Sequence, residues 1–482
     1  MNIGYILNTL GKLIFFEGLM LTLPLAVALL YGENNMILPY LLLILGMLIV
    51  GALSFLFKPK SKTLRMREGL VIAGISWVAV SILGALPLFL SGDIRSYLDA
   101  VFEIVSGFTT TGSSCLTDVE ALSHANLFWR SFTNWIGGMG VLVFILAFLP
   151  ATDPQSIHIL RAEMPGPQVG KLVSKLRMTA RLLYVIYLVM TAIETILLLC
   201  GGLPLFDSLV TSFATAGTGG FSIRNASMAA YENPYAEIVV ALFMLLFSVN
   251  FNLYYLLLVG DFRSVCKNEE LRWFLGLVLV AVGLITIDIL PLYESNFGTA
   301  LRTSFFQVSS IISTSGFATA NFNVWPSFSK TILVLLMFIG GCSGSTCGGM
   351  KISRMVVMLK NAWNGIKKQI FPNSVALVRL EGKTVDETTR RGISAYLSAF
   401  AAIFAVSLLL ISLNGFDLTT NFTAVATCIG NVGPGLGMVG PVGNFSAFSP
   451  LSKIVLIFDM LAGRLEFFPI LALLYPKAWK RY

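Results

Sequence analysis

Charge is scarce in this chain. Only 12% of its 482 residues are Asp, Glu, Lys or Arg, and 56% are hydrophobic, where a soluble domain carries about 25% charged residues. With a mean hydropathy of +0.81, a soluble enzyme with a large core is excluded, because nothing would dissolve its surface. Histidine is scarcer still. His124 and His158 are the only two, which argues against a histidine-built metal or haem site. It also argues against an embedded enzyme, since the plentiful Ser and Thr have no His partner and no HExxH-type helix is present. The six cysteines are scattered. Cys342 and Cys347 stand too far apart for a two-residue zinc knuckle and have no nearby histidine. A small-residue cleavage site is lacking after Lys12 and the stretch Leu13 to Tyr31, so the start of the chain reads as a retained helix. The weak alternation of a membrane barrel is missing as well.

What the chain has is long apolar runs, at roughly 11–31, 37–57, 69–91, 125–150, 178–201, 235–259, 273–292, 329–341, 392–414 and 449–475. Many approach the roughly 20 residues that cross a bilayer. Between them lie four less apolar segments, Tyr97–Thr109, Leu205–Ala216, Thr299–Ser313 and Leu418–Ile429, too short to cross. Each ends on a Thr/Ser/Asn- and Gly-rich turn: GFTTTGSS (Gly107 to Ser114), TAGTGGFS (Thr215 to Ser222), STSGFATA (Ser313 to Ala320) and GNVGPGLG (Gly430 to Gly437). Exposed turn backbone is tolerated at membrane depth only where protein buries it or it lines a watery cavity. The expected fold is an all-α polytopic membrane protein with four pseudo-symmetric helix–pore helix–filter loop–helix repeats around a central pore. Two N-terminal transmembrane helices precede them in 1–68. The repeats fall at 69–150, 178–260, 271–361 and 391–482, with a break of small residues at about 340–350 in the third.

Most of the 33 basic residues sit in Lys58–Arg67, 151–181, 261–272, 351–391 and the tail Lys477, Lys480 and Arg481. The turn-bearing connections hold few. The positive-inside rule then places the basic loops and both termini in the cytoplasm and the four turns outside. The net charge of +8 is explained by these loops, and nucleic acid is not expected as a partner.

The chemistry of the turns suits a cation. Gly112, Gly220, Gly316 and Gly433 each stand where a tight segment bends, and glycine adopts positive φ at no steric cost. The two residues before each glycine would supply backbone carbonyls: Thr110 and Thr111, Thr218 and Gly219, Thr314 and Ser315, Asn431 and Val432. Rings of backbone carbonyls replace a cation's hydration shell. The short helices aim their partly negative C-termini at the same place. Close helix packing by Gly and Thr would explain one such turn; four at matched positions favour a filter.

These stretches, together with RAEMPGP (Arg161–Pro167), GGCSGSTCGGMKISR (Gly340 to Arg354) and GRLEFF (Gly463–Phe468), resemble the TrkH branch of the Trk/Ktr superfamily of potassium uptake proteins over nearly the whole length. The resemblance implies potassium as substrate at the eight carbonyl residues, with one glycine per loop and, lacking the TVGYG pattern, a shorter filter. It also implies a homodimer with one pore per subunit in the bacterial inner membrane, surrounded by membrane lipid. No cofactor is bound by the chain itself. The implied partner is a cytoplasmic nucleotide-binding (NAD/ATP) regulatory ring of the TrkA type.

The run from Gly340 to Gly349 cannot propagate a stable helix. It reads either as a kink or, by the resemblance, as a gating flap comprising Gly344, Ser345, Thr346, Gly348 and Gly349. Lys351 at its inner end either joins that gate or snorkels to the interface. Arg464, a charge inside an apolar run, either faces the pore as a barrier or pairs with Asp459 or Glu466. Glu103 either draws cations or holds the turn by hydrogen bonds. Glu194 alone is thin support for proton coupling. The expected function is a potassium-translocating membrane subunit of an uptake system, gated by the flap and Arg464. The alternative is a potassium/proton or potassium/sodium symporter.

Overall fold

The computed structural model describes residues 3–54, 66–140, 176–373 and 377–479. The RAEMPGP stretch, most of the basic loops 58–67 and 151–181, the end of the 125–150 run, and Lys480 and Arg481 lie outside the described residues.

Two N-terminal spans come first, α1 (Ile3–Met20) continuing into α2 (Thr22–Leu30), and α3 (Asn34–Ser54). Small residues let α1 and α3 close on each other. A Cβ at Gly51 would come within 2.6 Å of the Phe15 Cβ, the tight approach that membrane helices build from glycine.

Four units follow. Each has a first helix, a short helix, a turn and a second helix. The first unit has α4 (Met66–Gly84) with its continuation α5 (Leu86–Leu90), the short α6 (Tyr97–Phe108) and α7 (His124–Gly138). The second has α8 (Leu176–Cys200), short α9 (Leu205–Gly217), then α10 (Pro234–Phe247) and α11 (Phe251–Leu258). The third, after α12 (Phe262–Lys267), has α13 (Glu269–Ile289), short α14 (Phe297–Ile312), α15 (Ser327–Ile339) and, beyond a break, α16 (Ile352–Ile370). The fourth has α17 (Glu387–Ile411), short α18 (Leu418–Gly430), α19 (Pro450–Arg464) and α20 (Phe468–Leu474). Two-residue strands Arg379–Leu380 and Lys383–Thr384 pair between the third and fourth units. Polar caps start the short helices: Ser96, Asn296 and Asp417 accept from the N–H groups of Asp99, Thr299 and Thr420, satisfying donors that no helical carbonyl can reach.

Among the described residues, six helices are long and apolar enough to cross a membrane, including Arg67–Leu90, Arg181–Cys200, Glu269–Tyr293 and Glu387–Asn414 in the four units. The second helices correct the sequence reading. The run 235–259 is not one span, because α10 and α11 meet at 91°. The run 449–475 is likewise broken, between Arg464 and Phe468, where Glu466 and Phe467 have φ of 54° and 67°. The causes are local. Asn250 caps α11 by accepting from Asn252 N–H. The N–H groups of Glu466 and Phe467 turn back to the Gly463 and Ala462 carbonyls, a left-handed helix stop.

Candidate functional site

The four short helices end in the same way. At the first, Thr110 N–H bonds the Gly107 carbonyl (2.9 Å) and Thr111 N–H the Ser106 carbonyl (2.8 Å). The equivalent pairs are Thr218 to Thr215 and Gly219 to Ala214, Thr314 to Ile311 and Ser315 to Ser310, and Asn431 to Cys428 and Val432 to Thr427, all between 2.9 and 3.3 Å. This is a Schellman stop, which ordinarily places glycine in the left-handed region. Here the left-handed residues are Thr110, Thr218, Thr314 and Asn431, with φ of 54°, 55°, 57° and 53°. Two residues further on stand Gly112, Gly220, Gly316 and Gly433, also at positive φ. The expected bend at the glycines is present, and a second left-handed residue precedes each. A non-glycine residue in this region costs about 1–2 kcal/mol, and such strain clusters at functional sites.

The turns abut in cyclic order. A Cβ on Gly112 would overlap the carbonyl oxygen of Gly219, one on Gly220 that of Ser315, and one on Gly316 that of Val432. A Cβ on Gly433 would lie 2.8 Å from the carbonyl oxygen of Thr111, which closes the circle. Across the ring, the same Gly112 position is 3.5 Å from the Ser315 carbonyl oxygen. The second carbonyl residue of every expected pair therefore lies against the glycine of the next turn. A cavity of about 180 Å3 opens above the ring, lined by all four glycines together with Arg130 and Arg224. The turns themselves contain no charged residue.

Side chains behind the ring hold it. Glu103, fully buried on α6, accepts from Arg130 Nε (2.9 Å) and Nη2 (2.5 Å) of α7, from Ser114 Oγ (2.9 Å) and from Cys115 N–H (3.1 Å). Of the two readings of Glu103, the structure shows the hydrogen-bonding one. The Arg130 guanidinium also lies over the Phe221 ring of the second turn, 4.2 Å from its centroid. Asn431 Nδ2 donates to Thr111 Oγ1 and to the Met460 carbonyl, both at 2.9 Å, and so joins the last turn to the first. Glu194 is fully buried on α8 beside Thr215.

Beneath the ring, residues 340–351 form an irregular flap between α15 and α16. It fastens to the α10–α11 break. Cys342 N–H bonds the Ser248 carbonyl, Thr346 Oγ1 the Phe247 carbonyl (3.2 Å), and Phe251 N–H the Gly344 carbonyl (3.1 Å). Within the flap, Ser345 Oγ bonds the Cys342 carbonyl (2.6 Å), and a Cβ on Gly349 would meet Gly340 Cα at 2.7 Å. Glu270 of α13 accepts from the N–H groups of Ser343 (2.7 Å) and Ser353 (3.1 Å). Lys351 does not snorkel: it is 2% exposed and folds back to donate to the Cys347 carbonyl. Gly348 N–H reaches the ring itself, donating to Thr314 Oγ1 at 2.8 Å. Arg464 donates to the carbonyls of Thr346 (2.7 Å), Gly137 (2.5 Å) and Gly138 (2.8 Å). The two acids considered as its partners have other bonds: Glu466 to Arg354 (2.5 Å) and Asp459 to Ser407 (2.7 Å).

The expected filter and gate residues are thus assembled in two adjoining layers. Sequence reasoning missed the residues between them. A Cβ on Gly137 would overlap the Phe108 carbonyl, one on Gly138 would lie 2.7 Å from Gly217 Cα, and one on Gly463 would overlap the Ile429 carbonyl. Nothing in the spacing of Gly137 and Gly138 says what they pack against. Ser248 and Asn250, which receive the flap, carried no signal beyond being polar within an apolar run.

The family model described as TrkH, a cation transport protein, matches residues 40–480. The Trk system potassium uptake protein TrkH of Salmonella typhimurium is 36% identical over 422 residues, covering 86% of this chain and 87% of that relative. The Trk system potassium uptake protein TrkG of Escherichia coli K12 is 30% identical, covering 99% of each. The crystal structure of the potassium transporter TrkH from Vibrio parahaemolyticus superposes with a TM-score of 0.89 at 30% identity, covering all of both chains.

Proposed function

The chain belongs to the TrkH family of cation transport proteins, and from that premise we propose that it is the potassium-translocating membrane subunit of an uptake system. The observation that carries the reading is the closed ring of four turns, each bringing a carbonyl against its neighbour's glycine. A potassium ion there would meet the carbonyls of Thr110, Thr111, Thr218, Gly219, Thr314, Ser315, Asn431 and Val432, shaped by Gly112, Gly220, Gly316 and Gly433. Backbone oxygens suit an alkali cation, which needs its water replaced by neutral dipoles. Four helix C-termini add partial negative charge. An inside-negative membrane drives the ion inward by about 2.3 kcal/mol per 100 mV.

The flap residues Gly344, Ser345, Thr346, Gly348 and Gly349, with Lys351 and Arg464, form the gate. Two cations held under the ring oppose a third in transit, and their bonds to flap carbonyls keep the passage closed. The basic loops face the cytoplasm of a bacterium and both termini lie there. A second copy of the chain and a nucleotide-binding ring of the TrkA type complete the system, in keeping with relatives named for a Trk system.

Flux from liposomes tests this. Purified protein is expected to pass potassium and rubidium ahead of sodium. Gly316→Ser is expected to narrow that preference, because a side chain there meets the Val432 carbonyl. Arg464→Ala is expected to raise flux. Reversal potentials that stay put when pH and sodium are varied would set passive conduction apart from symport. A wild-type protein that moves none of the three ions would refute the proposal.

A further inference from the structure

We infer that the closed flap is a strut of the ring as well as a barrier below it, and that the Thr314 hydroxyl is the joint between them. The inference rests on the preceding reading of the turns as a filter and of residues 340–351 as its gate.

The four left-handed residues are equivalent in backbone but not in side-chain bonding. Thr218 Oγ1 donates within its own turn, to the Gly217 carbonyl (2.6 Å). Asn431 bonds Thr111 and Met460. Thr110 Oγ1 is buried with no hydrogen-bond partner among the described residues. Thr314 alone of the four accepts a bond from the flap, through Gly348 N–H at 2.8 Å.

Gly348 also presses on the fourth turn. A Cβ there would overlap the Gly430 carbonyl and come within 2.8 Å of the Asn431 Cβ. The other half of the ring is reached through Arg464. One guanidinium nitrogen holds the flap at the Thr346 carbonyl, and the other holds Gly137 and Gly138. Those glycines lie directly against Phe108 and Gly217, the last residues of α6 and α9. The flap, directly or through Arg464, therefore bears on all four turns.

A threonine in the left-handed region is strained and persists only where its surroundings over-determine it. With the flap seated, Thr314 is fixed from below by Gly348. When the flap withdraws, that bond is lost and the third turn relaxes. The bond to Gly348 then sets how sharply the ring discriminates between ions: an ion that passes while the flap is still bonded at Gly348 meets a narrow, selective ring, and one that passes after that bond has broken meets a looser one. Linkage makes the effect reciprocal, so an ion that fits the ring holds the flap closed more firmly than one that does not.

The test is potassium and sodium flux from liposomes for Thr314→Val, which keeps the shape and the backbone carbonyl but removes the acceptor. Thr314→Ser, which restores the acceptor, and Gly348→Ala, whose added methyl lifts the flap off Gly430, are measured beside it. The valine variant is expected to raise potassium flux about fivefold, the factor carried by one neutral hydrogen bond, and to move the potassium-to-sodium ratio toward one. Serine, which keeps the acceptor, is expected to hold a higher potassium-to-sodium ratio than valine, alanine at Gly348 to follow valine, and the double variant to exceed neither single by much. Flux that rises at an unchanged ratio would make the flap a plain plug and overturn the inference, as would wild-type behaviour in both valine and alanine variants. If the valine protein does not fold, Gly348→Ala against Thr314→Ser decides by the same two readouts. A wild-type protein that does not conduct potassium sinks the proposed function instead.

Discussion

Glu103 has no exposure to solvent and faces an Arg130 that is 1% exposed. Its two oxygens take up four donors, two from the guanidinium and two from the residues just past Gly112. Removing one member of such a pair leaves the other charge buried and uncompensated, which costs about 3–5 kcal/mol. Glu103→Gln is therefore expected to lower the melting temperature in detergent and to impair potassium flux. The double variant Glu103→Gln, Arg130→Gln is expected to recover part of the lost stability, which a melting series would register. The sequence marked Glu103 as unusual but left its task open, because Arg130 lies 27 residues on and nothing in the intervening pattern pairs them. The glycines of the turns were legible, since only glycine suits such bends cheaply. The left-handed Thr110, Thr218, Thr314 and Asn431 were not, because the hydrogen bonds that impose that conformation exist only once each short helix has stopped.

The pore-side elements share a length. The helices following the four turns, α7, α10, α15 and α19, have 15, 14, 13 and 15 residues. At 1.5 Å per residue each covers only about 20 Å, less than the roughly 30 Å of a hydrocarbon core. All four stop beneath the ring, at Gly138, Phe247, Ile339 and Arg464. Hydropathy revealed the third stop through its run of small residues and concealed the second and fourth, because the chain stays apolar while its backbone turns. Packing at the stops is tight and can be tested. Gly463→Ala would drive a methyl into the Ile429 carbonyl and is expected to reduce folded yield and flux. Gly46→Ala in α3 and Gly283→Ala in α13, where a methyl meets nothing within 4 Å, are expected to be neutral or to gain up to about 1 kcal/mol from helix propensity. Size-exclusion profiles and melting curves of the three variants would show the contrast.

At the level of the molecule, the order of spans and turns was readable from composition because each physical requirement leaves a length signature: about 20 apolar residues to cross, and shorter runs ending in glycine to dip and return. What holds the two layers together was not readable, since the flap binds Ser248, Thr314 and Glu270 through backbone groups that any residue carries. The charge asymmetry makes an orientation prediction. In a cysteine-free background, Asn225→Cys, on the turn side, is expected to react with an impermeant maleimide on intact cells. Lys267→Cys, in the basic loop, is expected to react only after permeabilisation. The opposite pattern would invert the proposed direction of uptake.

The bond from Asn431 to Thr111 spans 320 residues. It is the seam at which the first and last quarters of a single polypeptide meet. During synthesis, three wedges stand in the bilayer with one side open until the final quarter is inserted. A chain truncated before α18 therefore carries three walls and cannot close the ring.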